Sequence, residues 1–341
     1  MNATTYGVDI AKNVFQVHWV DAATGEIRRK KLSRAKFVEF FANRAAARIV
    51  MEACGGAHHW GRALTALGHH VELLPPQHVR MFVTGNKDDA ADARALWLAA
   101  QHGDIRRVPI KSVDQQAALS VHRMRSHWVS VRTATLNSLR GLLYEFGVVL
   151  PKGRSTLCKW IGEHRAQIDV QLPPVMQRLL DAQMQAIREL DNNIALLEAE
   201  LKQVLRSNEL ARRLEKASGI GLMGSTALAA TLGDARAWRN AREFACCLGL
   251  TPRHSGTGGK VRIGGISKRG DAYLRTVLIH GARNLVRVAN PPRWIAEMLK
   301  RRPPNVVATA VANKLARIAW SMAAHGEKFD PLRAFGAKAA A

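Results

Sequence analysis

The chain has 341 residues, 47% of them hydrophobic, so it can bury more than one core and is not a disordered protein. Its 51 Lys and Arg residues outnumber 27 Asp and Glu residues, which gives a formal net charge of +24. This excess predicts a nucleic-acid partner, ahead of an anionic membrane surface. No apolar run is long enough to span a bilayer and no signal peptide begins the chain, so we expect a cytoplasmic protein. The four cysteines lack C-x-x-C spacing and predict reduced thiols without a zinc site.

Strand and helix patterns alternate over the first 110 residues. Strands are predicted at Tyr6–Ile10, Val14–Val20, 26–32, 47–53 and His70–Leu74. Helices are predicted at 34–43, 59–67, 77–83 and 90–101. A hairpin meander followed by strand–helix units predicts an α/β domain, in which a mixed sheet carries helices on its faces.

Four acids lie at element ends in this region. Asp9 lies in the first strand, Glu52 ends the fourth, and Asp89 and Asp92 share one face at the start of a helix. Strand ends and a helix start can converge on one spot, where four carboxylates would bind two divalent ions and drive phosphoryl transfer. The plainer alternatives are first-turn acids favoured by the helix dipole, with Lys87 between them, and an Asp9–Lys12 ion pair.

The middle of the chain is predicted to be helical and basic. Residues 112–146 form one or two helices, in which basic side chains with interleaved Trp128 and Tyr144 suit nucleic-acid contact or a solvated face. Residues 147–174 are expected to be irregular. Residues 175–216 are helical with a heptad seam, for which we favour self-association over an internal helical hairpin. The seam consists of Ile187, Leu190, Ile194, Leu197, Leu201 and Val204.

A glycine-rich segment follows at residues 253–271. We expect a loop that does not pack as core and can wrap a phosphate, with Ser255 beside Arg253 and His254 as a candidate nucleophile. The earlier Gly219-Ile220-Gly221 either approaches a phosphate or forms a tight turn. Ten basic residues are predicted to contact nucleic acid, the alternative being a solvated face. They are Arg123, Arg132, Arg253, Lys260, Arg262, Lys268, Arg269, Arg275, Lys314 and Arg317.

Two motif sets resemble the DEDD transposases of the insertion sequence 110 family. The first is Gly7-Val8-Asp9, Met51-Glu52-Ala53 and Lys87-x-Asp89-x-x-Asp92; the second is Gly249-Leu250-Thr251-Pro252, Ile266-Ser267-Lys268-Arg269-Gly270 and residues 312–320. The resemblance implies an α/β plus α protein. The domains that it implies are an RNase H/RuvC-like domain at 1–110, basic helices with a coiled-coil dimerisation segment at 111–215, and a mainly helical transposase domain at 216–330.

The resemblance also implies a chemistry. Asp9, Glu52, Asp89 and Asp92 would hold Mg²⁺ or Mn²⁺, whereas Asp88 occupies a position that is often Thr. A serine of the glycine-rich loop would attack DNA and form a phosphoserine link. Counted from Pro252, the familiar serine positions fall on Gly256 and Thr257. We therefore expect Ser255 as the nucleophile after a one-residue shift, with Thr257 second and Ser267 third, unless Ser267 caps a helix.

The family resemblance sets the expected partners and the alternatives. We expect DNA (element ends and target), a structured guide RNA from the element, and a dimer or tetramer at the bacterial nucleoid. The runner-up is a metal-dependent Holliday-junction resolvase or nuclease that hydrolyses DNA with water. A non-catalytic nucleic-acid-binding protein with decayed acids is the third reading, and the presence of all four acids argues against it.

Overall fold

The first five strands form one mixed sheet in the computed structural model, which describes residues 3–84 and 88–336. Its strands are β1 (Thr5–Ile10), β2 (Val14–Val20), β3 (Ile27–Ser33), β4 (Arg48–Glu52) and β5 (His70–Leu74). Their spatial order is β3-β2-β1-β4-β5. Strands β1, β2 and β3 pair antiparallel, whereas β1 with β4 and β4 with β5 pair parallel. The predicted mixed sheet is confirmed.

Helices cover both faces of this sheet. Helices α1 (Arg34–Ala42) and α2 (Ala57–Ala66) pack an aromatic-rich core on one face. Helices α3 (Pro76–Val79) and α4 (Asp89–Ala100) pack a second core with β4 and β5 on the other. Successive side chains of a strand point to opposite faces. Because Tyr6, Val8 and Ile10 join the first core, Gly7 and Asp9 face α4.

A half-buried carboxylate on β5 fixes the far end of α4. Glu72 accepts two hydrogen bonds of 2.9 Å from Arg48 on β4 and another from Arg107. Both arginines also donate to the carbonyl of Ala100, the last residue of α4. Burial raises the pKa of the Glu72 carboxyl, but the hydrogen bonds and charges of the two arginines outweigh it and hold the pKa below its ordinary value.

Replacing Glu72 with Gln is expected to lower the free energy of unfolding at pH 7 by about 2–3 kcal/mol, since two partly buried arginines lose their counter-charge. The lowered pKa means that the ion-pair stabilisation is present above the unfolded-state pKa and is lost as pH falls through the folded-state value. Urea unfolding of both proteins should therefore converge in acid. Glu163→Gln, which removes an exposed pair with Lys159, is the control, and an equal loss there would contradict the prediction.

A run of helices follows the sheet. Helix α5 (Val113–Tyr144) is continuous, one of the two forms predicted. The prediction that residues 147–174 are irregular is wrong, because α6 (Arg154–Glu163) and α7 (Arg165–Gln171) lie there. Gly147 and Gly153 have positive φ angles and lie between α5 and α6, where the helical structure is interrupted. The apolar side chains between the breaks nevertheless repeat at helical spacing and are buried, namely Leu157, Ile161 and Ile168.

The heptad seam packs inside the chain. Helix α8 (Pro174–Ser207) lies antiparallel to α5, with ion pairs Arg125–Glu198 and Arg132–Asp191, each at 2.6 Å. The seam residues Ile187, Ile194 and Leu201 are buried. The helical hairpin that the sequence left as an alternative is therefore formed, and self-association stays a prediction without this seam to support it.

The predicted helix 175–216 is interrupted. Asn208 ends α8 and caps α9 (Glu209–Glu215) by accepting from the Ala211 N–H at 2.9 Å. The remaining elements are α10 (Leu222–Leu232), α11 (Ala241–Cys247), the hairpin strands β6 (Pro252–Thr257) and β7 (Lys260–Ile266), α12 (Ala272–Arg287), α13 (Arg293–Leu299), α14 (Pro304–His325) and α15 (Pro331–Phe335). Among the described helices, none has the length and apolarity that crossing a membrane requires.

Gly219 serves helix packing. It has a φ of +87°, and a Cβ added to Gly281 on α12 would lie 1.9 Å from the Gly219 carbonyl oxygen. The turn before α10 thus touches the backbone of α12 directly. Of the two sequence interpretations, the structure supports the tight turn, and an approach of phosphate to this turn stays a prediction.

The chain divides into two compact units by its internal contacts. One comprises Met1–Gln115 and Gly233–Arg239, and the other comprises Gln116–Leu232 and Asn240–Ala341. The four acids belong to the first unit and the glycine-rich segment belongs to the second. The division into 1–110, 111–215 and 216–330 stays a prediction.

Candidate active site

The sheet and α4 position the four acids. The register pairs Val8 of β1 with Met51 of β4, so Asp9 and Glu52 follow at the same level of two adjacent parallel strands. Asp89 and Asp92 occupy the first turn of α4. Asp88 caps that helix by accepting from the Ala90 N–H at 3.3 Å, which gives it a structural role outside the acid set.

The absence of a side chain at Gly7 lets α4 approach β1. A Cβ at Gly7 would lie 2.2 Å from the Ala93 carbonyl oxygen and 2.6 Å from the Trp97 backbone nitrogen. Asp9 is two residues along the same face of β1. The contact at Gly7 therefore sets how near the first turn of α4 comes to Asp9.

The acids influence one another electrostatically. Burial raises the pKa of Asp9 to about 6, with further contributions from the negative charges of Asp92, Asp89 and Glu52 in that order. Burial and the charges of Glu52 and Asp9 also raise the pKa of the Cys54 thiol. The structure thus brings all four predicted acids into one electrostatic cluster, with the Cys54 thiol beside it.

Three of the four acids have no cationic partner within residues 3–84 and 88–336. No Lys or Arg there forms an ion pair with Asp9, Asp89 or Asp92, so the alternative Asp9–Lys12 pair is not formed. Lys87, the other cation that we considered, lies outside the described residues. The repulsion among these carboxylates is the kind of energy that a bound cation relieves.

The donor set fits a hard divalent ion in its chemistry. Carboxylate oxygens are the ligands that Mg²⁺ and Mn²⁺ prefer. The described residues contain no preformed group of three or more His, Cys, Asp or Glu side chains at ligand spacing. That Asp9, Glu52, Asp89 and Asp92 would together hold an ion stays a prediction, which rests on their chemistry and on their shared electrostatics.

Gly7→Ala is expected to lower the free energy of unfolding by about 1–3 kcal/mol, because the new methyl group forces α4 away from β1. It should also impair DNA cleavage, since Asp89 and Asp92 move with α4. Thermal unfolding and a cleavage assay measure the two effects. Gly55→Ala is the matched control near Glu52, because an added Cβ there meets nothing within 4 Å. Unchanged stability in Gly7→Ala would contradict the close approach.

Gln16 is a neighbour of Asp9 that the sequence analysis did not single out. The β1–β2 register pairs it with Asp9, so the two side chains are cross-strand neighbours on the face toward α4. Pairing the residues on either side of the turn at residues 11–13 would have placed Gln16 opposite Asp9. Its amide can donate a hydrogen bond to the Asp9 carboxylate or to a phosphate.

The glycine-rich segment is a β-hairpin, so the predicted loop is wrong. Strands β6 and β7 pair antiparallel around Gly258 and Gly259, whose φ angles of +57° and +77° match a type I′ turn. All its residues before Ile266 are exposed. The expectation that the segment does not join a core is met, and the Gly-Gly pair is the hairpin signal that the sequence analysis passed over.

The two hydroxyl candidates lie on one face of the hairpin. Ser255 pairs with Arg262, and Thr257 pairs with Lys260. Paired residues of an antiparallel ladder project to the same side, as do residues two apart. Each hydroxyl therefore has a cation across from it. Gly256 projects to the other face, and a Cβ there would lie 2.4 Å from the Lys260 carbonyl oxygen.

Close backbone contacts anchor the base of the hairpin. A Cβ at Gly249 would lie 2.1 Å from the Arg269 carbonyl oxygen, and one at Gly270 would lie 1.7 Å from the Cys247 carbonyl oxygen. Asp271 caps α12 by accepting from the Leu274 N–H at 2.9 Å. Ser267 is therefore not the helix cap, and its hydroxyl lies buried at this base.

The ten predicted nucleic-acid contacts divide by environment. Arg132 is paired with Asp191, Arg275 donates to the Leu248 carbonyl at 2.9 Å, and the ammonium of Lys314 lies 4.3 Å from the Trp294 ring centre. These three have structural partners. The other seven are exposed: Arg123, Arg253, Lys260, Arg262, Lys268, Arg269 and Arg317. The exposed group is the better supported set of candidate contacts.

Comparison with known proteins shows to which class of enzyme the chain belongs. Residues 6–147 match a family model for DEDD-type transposases that is described as "Transposase", and residues 211–298 match one described as "Transposase IS116/IS110/IS902 family". The protein is thus a transposase, an enzyme that acts on DNA in transposition.

Relatives along almost the whole length agree with the family models. A "Probable family 20 transposase" of Pseudomonas aeruginosa is 45% identical over 97% of this chain and 100% of its own. The "Transposase for insertion sequence element IS1111A" of Coxiella burnetii is 37% identical over 95% of this chain and 90% of its own. The "Transposase for insertion sequence element IS1328" of Yersinia enterocolitica is 37% identical over 96% of this chain and 99% of its own. The chain belongs to the IS110 family of insertion-sequence transposases.

Proposed function

We propose that this transposase cuts and rejoins DNA through a serine nucleophile assisted by divalent metal at the four acids. The observation that carries the proposal is the acid cluster, in which the ends of two adjacent parallel strands and the first turn of α4 supply four carboxyl groups. Burial, and then the charges of the other three, raise the pKa of Asp9 to about 6. The strand order of the five-stranded sheet, in which two parallel strands continue a hairpin meander, agrees with an RNase H-like, RuvC-like domain. Bound Mg²⁺ or Mn²⁺ would neutralise charge on the scissile phosphate.

The nucleophile is Ser255. Its Oγ attacks phosphorus, an Oγ–P bond forms while the bond from phosphorus to the leaving sugar oxygen breaks, and the hydroxyl proton passes to that oxygen. Arg262, across the ladder from Ser255, offsets the phosphate charge. The product is a phosphoserine link that retains the bond energy, so a second strand can take over the phosphate.

The partners follow from charge and from the family resemblance. DNA ends and target DNA are the substrates, and a structured RNA from the element guides them, which fits the net charge of +24. A homodimer or tetramer holds the DNA ends together, in the bacterial cytoplasm at the nucleoid. The three-part division at 1–110, 111–215 and 216–330 serves metal chemistry, helical assembly and serine chemistry respectively.

A trapping assay tests this function. Purified protein is mixed with Mg²⁺, labelled element-junction DNA and RNA transcribed from the element end, and the products are run on a denaturing gel. A slowly migrating protein–DNA band supports the serine mechanism. Cleaved DNA without that band supports the second candidate, a resolvase or nuclease that hydrolyses DNA with water, for which the acid cluster alone suffices.

A further inference from the structure

A cavity of about 440 Å³ lies at the C-terminal end of α14, well within the range of small-molecule sites. It is formed by one face of that helix, by the connection to α15 and by α15 itself. The stretch that matches the C-terminal family model ends at residue 298, before α14 begins. None of the four acids and no residue of the hairpin is among the residues that line the cavity.

The lining carries more positive than negative charge. It includes Lys314, Arg317, Lys328 and Arg333 against Glu327 and Asp330. Both acids have local partners. Glu327 accepts from the Ser321 hydroxyl at 2.8 Å and lies 3.6 Å from Arg333, and Asp330 caps α15.

Three of the lining cations are left without a counter-charge. In the part of the chain that the structure describes, Lys314, Arg317 and Lys328 form no ion pair with a carboxylate. Lys314 and Arg317 are three apart on α14 and share a face. Burial, and then the charge of Arg317, lower the pKa of Lys314. An anion placed here would relieve both costs, so the cavity favours a negatively charged ligand.

Aromatic rings complete the lining. Trp320 and Phe329 line the same cavity as the three cations, with the apolar side chains of Ile318 and Met322. A simple anion would contact the cations without contacting these rings. A ligand that joins a phosphate to a flat ring uses both, through charge and through stacking.

We propose that this cavity binds one unpaired nucleotide of a single-stranded nucleic acid, with its phosphate at Arg317 and Lys328 and its base against Trp320. A base within a duplex is stacked on both sides and cannot enter, so the site selects unpaired positions. The proposal goes beyond the DNA chemistry described above, and its test uses binding without cleavage.

Binding of short fluorescein-labelled oligouridine and oligothymidine is measured by fluorescence anisotropy on the full-length protein without metal. Arg317→Ala and Trp320→Leu should each weaken binding about tenfold, the loss of one phosphate contact or one stacked base. Arg317→Ala should also reduce the slope of log affinity against log salt by about one. Weakening with both oligomers assigns the site to either nucleic acid, and weakening with oligouridine alone assigns it to RNA.

Arg302→Ala is the charge-matched control. Arg302 is exposed near the other end of α14, roughly 25 Å from Trp320 along the helix axis. Its removal should leave affinity within about twofold. Competition with uridine monophosphate and inorganic phosphate gives a readout that does not depend on the variants, and the nucleotide should compete better. Equal losses in all three variants, or equal competition by inorganic phosphate, would overturn the proposal even if the wild type binds both oligomers.

Discussion

Replacing Asp9 with Asn should reduce DNA strand cleavage by about a thousandfold or more, while the protein stays folded. The carboxylate lies between Glu52 on the neighbouring strand and the two acids of α4, and its charge interacts with all three. Charge stabilisation by a bound divalent ion is worth several kcal/mol, and each 1.4 kcal/mol is tenfold in rate. The variant removes the charge of a proposed metal ligand at almost constant volume, so the loss reports on chemistry.

Two measurements separate a metal-binding role from a general charge effect. Adding Mn²⁺ should raise the melting temperature of the wild type but not of Asp9→Asn, because a ligand that binds only the folded state stabilises it. Without metal the variant should melt above the wild type, because it lacks a half-buried charge repelled by three neighbours.

Asp88→Asn is the matched control for this prediction. It makes the same chemical change in the residue beside Asp89, and asparagine caps a helix as well as aspartate does. Cleavage and the response to Mn²⁺ should both survive. If Asp88→Asn were as damaging as Asp9→Asn, the cluster would act only through its total charge. If Asp9→Asn cleaved normally, cleavage would not depend on this acid, and the proposed metal chemistry at the cluster would be wrong.

The sheet domain was predictable because its elements carry local signals. Strand β2 alternates apolar and polar residues, Ser33 precedes α1 and a proline pair ends β5. Convergence of the acids was predictable from topology, since parallel strand ends meet at one edge. The distance between them was not, because it depends on the contact of α4 with Gly7, which no pattern along the chain encodes.

The misjudged segments share a physical cause. Residues 147–174 contain three Gly and three Pro residues, which favour breaks, but α6 and α7 form there and bury Leu157 and Ile168 against α5 and α8. The hairpin has few residues with high strand propensity, and backbone pairing around Gly258-Gly259 forms it regardless. Likewise the heptad seam specifies a helical partner without saying whether that partner lies in the same chain. In each case the local sequence is compatible with more than one structure, and tertiary contacts determine which one forms.

Ser255→Ala should abolish the covalent protein–DNA adduct and lower strand cleavage by several orders of magnitude, because the only atom lost is the proposed attacking oxygen. Thr257→Val, which removes the other hydroxyl of the same face at nearly constant shape, should retain the adduct. The hairpin is exposed and its backbone pairing does not use either side chain, so both variants should fold normally. Adduct formation is read on a denaturing gel, with circular dichroism as the folding check.

The hairpin makes this pair of variants decisive. Gly256 has no side chain, and the strand faces place only Ser255 and Thr257 beside a cation across the ladder. Loss of the adduct in Thr257→Val alone would move the nucleophile by two residues along one face and leave the mechanism intact. Cleavage that persists without an adduct in both variants would show water as the nucleophile. The acids would then act alone, and the cations of the hairpin would serve to hold DNA rather than to activate a hydroxyl.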